Sequence, residues 1–232
     1  MMSDKWWAKV LRLVGIVLMG LTAVFTLMGG AGTSCVAINP QGFGGSFTGI
    51  APYQWLYILF VVITFAFGVM GARAVLLLIR NRLNSYRYSV IALIGGTIIG
   101  VIHMLVSRSL RGSSMPVDMV TYTNVLTLGV FLIFRFPGLW EQIGYGRPVQ
   151  SNLTGTAGGL TAITSGVICL TIQYWMGVTH TIGGVNYADV WHVQLQLIGW
   201  FLVVAGAFTL LLAEGILWRK KVPIKFETII EG

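Results

Sequence analysis

The chain has 232 residues, 56% of them hydrophobic and only 9% charged, with a formal net charge of +8. Soluble domains carry about 25% charged residues, so a water-covered globule is excluded and lipid must cover much of the surface. The basic residues are scattered over several short segments, which excludes a nucleic-acid patch as the meaning of the positive charge.

Apolar runs of about 18 residues or more recur along the chain, long enough to cross a bilayer. Backbone groups in lipid must pair within their own segment, so each run predicts an α-helix. The runs are continuous rather than alternating, which argues against a barrel. The expected fold class is all-α: a polytopic integral membrane bundle of six transmembrane helices, forming one domain over 1–232. The spans are Val10–Gly29, Tyr53–Ile79, Ser89–Val106, Val117–Phe134, Gly155–Met176 and Trp191–Trp218. The first is read as a retained span. Its apolar run is long for a signal peptide, and no clean cleavage site follows at "GGAGTSC".

Residues 30–52 form an uncharged, glycine-rich outer loop carrying Phe43 and Phe47. Such a loop is expected to lie on the membrane surface, capping the bundle or meeting a partner. A second outer link with glycines spans 178–190. Both lead into aromatic openings, "YQWLY" and "WHVQLQLIGW", as expected for an interfacial belt.

Twelve of the fifteen basic residues fall on one side of this topology: Lys5, Lys9, Arg12, Arg80, Arg82, Arg87, Arg135, Arg147, Arg219, Lys220, Lys221 and Lys225. That bias puts both termini in the cytoplasm. The setting is a bacterial or archaeal plasma membrane. Cys35, in the first outer loop, and Cys169, in the fifth span, read as two unpaired thiols unless the loop folds into the bundle.

The three histidines, His103, His180 and His192, all fall in the outer third. His103 follows Gly96 and Gly100 on one stripe of the third span. His192, Gln196, Gly199, Val203 and Gly206 share a stripe on the sixth. His103 and His192 would then ligate a tetrapyrrole such as haem b from opposite helices. Gly100 and Gly199 would leave room for the macrocycle, and Arg108 and Arg111 would pair with its propionates. A metal site from His103, His180 and His192 is a second use of the same residues. The plainer alternative is that the imidazoles and Gln196 only bond neighbouring helices.

Arg73 and Glu214 lie within spans near the inner side and are expected to pair, or to snorkel separately to the interface. No nucleotide, zinc-protease or hydrolase motif is present. A stand-alone enzyme is therefore the least supported class. The sequence reads best as a non-catalytic subunit or anchor of a larger membrane complex, in an energy-converting or electron-transfer setting. Its partners would be the lipid bilayer, other membrane subunits and a quinone, with no nucleic acid. The rival is a small transporter or channel using Arg73 and Glu214.

Overall fold

A computed structural model of the chain describes residues 5–43, 45, 47–145, 153–176, 181–182 and 184–213. The helices are α1 (Trp6–Ile38), α2 (Gln54–Ile79), α3 (Ser85–Arg111), α4 (Val117–Ile133), α5 (Leu139–Ile143), α6 (Leu153–Met176), α7 (Tyr187–Val190) and α8 (His192–Ala213). Strands β1 (Thr181–Ile182) and β2 (Val185–Asn186) form a minimal antiparallel hairpin. Among the described residues, five helices are long and apolar enough to cross a membrane: α1, α2, α3, α6 and α8. The expected fourth span, α4, is a shorter apolar helix of 17 residues. Apart from that hairpin the regular structure is helical, as an all-α membrane bundle requires.

Helix α1 runs nine residues past the expected Gly29. Thr33 and Ser34 donate their hydroxyls to the carbonyls of Gly29 and Gly30. No proline intervenes before Pro40. Cys35 is therefore on the helix and exposed, and the outer loop contracts to a link over 39–53. Both cysteines are free. Helix α3 also outruns its expected span, so Arg108 and Arg111 sit in its last turn. Gly112 then ends it with φ 71°, a left-handed conformation that favours glycine.

The packing order defines two parts. Helix α1 packs on α2, α2 on α3, α3 on α4, and α4 back on α1, closing a ring of four. Helix α6 lies against α1 and α2, and α8 packs on α6. The half of the ring toward Arg80, Arg82 and Arg135 is filled by Ile16, Met19, Leu78, Leu93, Phe131 and Tyr145. The Tyr145 hydroxyl donates to the Arg12 carbonyl at 2.9 Å, and burial pushes its phenol well above the usual range.

Helices α6 and α8 meet backbone to backbone. A Cβ at Gly199 would lie 2.7 Å from Leu170 Cγ and 3.0 Å from the Gly166 carbonyl. A Cβ at Gly206 would lie 2.6 Å from the Gly159 carbonyl. The Gln196 amide donates across the seam to the Leu170 carbonyl at 3.2 Å. Small residues matter here because lipid offers no hydrophobic drive for helix association, so close packing must supply it. Gly199→Val should therefore lower the melting temperature in detergent by about 2–10 °C, from an overpacking cost of about 1–3 kcal/mol. Leu197→Val, on the exposed face of α8, should leave it nearly unchanged. Equal melting curves for the two variants would show that the seam does not hold the pair.

Candidate functional site

The half of the four-helix ring toward Arg108 and Arg111 is polar inside. Helix α1 contributes Thr22, Thr26 and Thr33, and α4 contributes Thr121, Asn124 and Thr127. The positions recur at steps of three, four or seven, so each set forms one stripe. The stripes face each other. Thr22 and Thr127 share a hydrogen bond of 2.7 Å, and the Asn124 amide donates to Thr26 Oγ1 at 3.3 Å. Gly96 and Gly100 of α3 complete the wall, where a Cβ would lie 2.7 Å from Asn124 Oδ1 and 2.6 Å from Thr121 Oγ1.

His103 stands at the head of this wall and is 3% exposed. Its ring stacks on Phe60 at 4.4 Å and meets the edge of Tyr57 at 5.3 Å. Its Nε2 is buried and has no hydrogen-bond partner among the described residues. An orphaned polar atom in a lipid-covered bundle costs roughly 1–3 kcal/mol, so this one asks for a reason.

The imidazole borders two cavities. One, of about 30 Å³, opens among Phe47, Tyr57, Ser107 and Arg111. The other, also about 30 Å³, is walled by Gly96, Gly100, Thr121 and Asn124. Thr26 and Asn124 are shared with a third of about 10 Å³ that reaches Thr22. A buried water needs about 10–15 Å³ of such space, so this is room for small molecules in file. From Thr33 to Thr22 the string covers 11 residues of helix, about 16 Å or half a bilayer core. Below it the apolar inner core closes the ring.

No protein-family model, curated protein or solved structure matches this chain. The site therefore rests on its own geometry.

That geometry redistributes the residues singled out from sequence. His103 points into the bundle as expected, but His192 opens α8 on the other part of the molecule. Helix α3 packs on α2 and α4, while α8 packs on α6, so these two histidines are not on facing helices. The room assigned to a macrocycle beside Gly100 is taken by Thr121, and beside Gly199 by Leu170 and Gly166. These glycines serve close helix contact. Arg108 bridges to Asp118 at 3.1 Å and to Ser114 at 2.8 Å, which ties α3 to α4. Arg111 donates to the Met115 carbonyl and covers the Phe47 ring at 4.6 Å. A tetrapyrrole, several hundred Å³ in size, does not fit these residues as arranged.

His180 and Glu214 lie outside the described residues. Among the described residues, no three of His, Cys, Asp or Glu gather around a metal-sized point. Arg73 is exposed on the outside of the ring, with its guanidinium 5.3 Å from the Tyr88 ring. Sequence reasoning missed the threonine and asparagine stripes. Their helical spacing was the available signal.

The filled notches predict that haem b titrated into the purified protein gives no saturable Soret band. A stoichiometric band lost in His103→Ala would show that the ring opens to admit a macrocycle.

Proposed function

We propose that the protein is a non-catalytic membrane subunit whose four-helix ring holds a small polar ligand admitted from the outer side. In this reading the chain has six spans, with both termini in the cytoplasm of a bacterial or archaeal cell. The distribution of twelve basic residues supports that orientation. The observation that carries the reading is the unpartnered, buried Nε2 of His103 set between two cavities. Buried polar atoms without partners cluster where a ligand or water completes them.

Below Thr22 the polar string ends against the apolar side chains of the core. A dead end supports binding over conduction. The electron-transfer setting drew on two histidines at one depth. With His192 on α8, its support falls to His103 alone. A transporter worked by Arg73 and Glu214 has less support, because Arg73 lies on the outside of the ring.

Thiol accessibility tests the inlet. In a background of Cys35→Ser and Cys169→Ala, Thr33→Cys and Ser107→Cys should react with a small membrane-impermeant methanethiosulfonate applied to intact cells. Leu78→Cys, in the apolar core and away from all three cavities, should not. No reaction at either outer position, or equal reaction at Leu78→Cys, would overturn the reading.

A further inference from the structure

The hydrogen-bond polarity of the inlet identifies the chemical class of its ligand, an inference that rests on the inlet proposed above. A threonine hydroxyl has one proton and two lone pairs. Thr26, Thr33 and Thr121 each give that proton to the carbonyl four residues back, at 2.7, 2.8 and 2.9 Å. Their oxygens therefore meet the cavity as acceptors. The Asn124 amide nitrogen is also committed, to the Val120 carbonyl at 3.0 Å and to Thr26 Oγ1. That fixes Asn124 Oδ1 toward the Gly96 notch, again as an acceptor. The α1 and α4 walls of the deep cavity thus present acceptors, and Thr64 of α2 also lines it.

The mouth has the opposite character. Arg111 Nε is buried without a partner among the described residues, and Arg111 lines the mouth cavity. Tyr57 and Ser107 share one hydrogen bond of 2.8 Å, so one of their two hydroxyl protons is left over. Donors sit outside, acceptors sit deep, and His103 Nε2 lies between them.

We infer that the inlet binds a small uncharged molecule with an acceptor at one end and a donor at the other, of the primary-amide or urea class. Its carbonyl oxygen accepts from His103 Nε2–H, which a neutral imidazole can offer in one of its two tautomers. Its NH₂ group donates to Thr121 Oγ1 and Asn124 Oδ1, which line the same cavity as His103. Seven residues of α3, about 10 Å, separate Ser107 from Gly100, so Arg111 and the Tyr57–Ser107 pair meet the carbonyl on its way in and do not hold the same molecule. Free cations are disfavoured. Arg108 and Arg111 outweigh Asp118 at the mouth by one positive charge, and such a charge sets an electrostatic barrier. Anions are disfavoured deeper down, where oxygen lone pairs line the wall. A ketone satisfies His103 and leaves the deep acceptors unpaired. The two cavities share Thr33, His103 and Val117 in their walls, and two of about 30 Å³ suit a molecule of a few heavy atoms.

Saturation-transfer NMR on the full-length protein in lipid nanodiscs reads such weak binding. Acetamide should give a saturable methyl signal that urea competes away. Acetone, acetate and methylammonium should each give a much weaker one. Thr121→Val, which keeps the side-chain volume, should weaken acetamide about fivefold, the effect of one neutral hydrogen bond. Asn124→Leu should abolish binding, and Leu197→Val on the exposed face of α8 should leave it unchanged. If Asn124→Leu does not fold, Thr121→Val decides. Equal signals from acetone or methylammonium, or an unchanged signal in Thr121→Val, would overturn the assignment. Outer thiols that react while no amide binds would refute the ligand class and leave the inlet standing. Outer thiols that fail to react would remove both.

Discussion

A hydroxyl inside a lipid-covered helix has few places to send its proton, and here ten are seen to send it to the carbonyl four residues back. The pattern recurs on α1, α3, α4, α6 and α8. It lets an apolar segment carry threonine and serine at little cost, because no donor is left unpaired. It also fixes the sign of what remains, since each such oxygen then shows only lone pairs. The character of the ring interior follows from this local rule.

The second constraint is distance. Acceptor-lined walls form a site only when they are close, and glycine sets that spacing in α3. Gly96 and Gly100 bring its backbone against Asn124 and Thr121. The same device in α6 and α8 has a different outcome. There the notches face backbone and aliphatic side chains, so the contact is dry and purely structural. A glycine stripe therefore marks a close helix pair without saying what the pair is for. Function depends on whether the opposite stripe is polar.

Much of the architecture was legible in the sequence. Continuous apolar runs gave the helices. The stripe through Gln196, Gly199 and Gly206 does face a neighbour, and His103 does point inward. Helix neighbours were not legible, because periodicity defines a face and never names its partner. His103 and His192 matched in depth yet belong to different parts of the bundle. Helix ends were misjudged where hydropathy fell before the hydrogen bonding did, as at Thr33 and Ser34. The site itself was overlooked because attention went to titratable residues. Its walls are threonine, asparagine and glycine, whose chemistry appears only when two stripes meet.

The pairing of α8 with α6 bears on how the chain is made. Ring helices α1 to α4 are consecutive, and each packs on its neighbour in sequence, with closure between α4 and α1 as the one distant step. Helix α8 needs only α6, the previous long helix. Contacts of such short sequence separation form quickly. The polypeptide can therefore mature in the order of its synthesis: the ring first, then a helical hairpin laid against a finished wall. The inlet, lying wholly within the ring, would be assembled before the last two long helices have joined it.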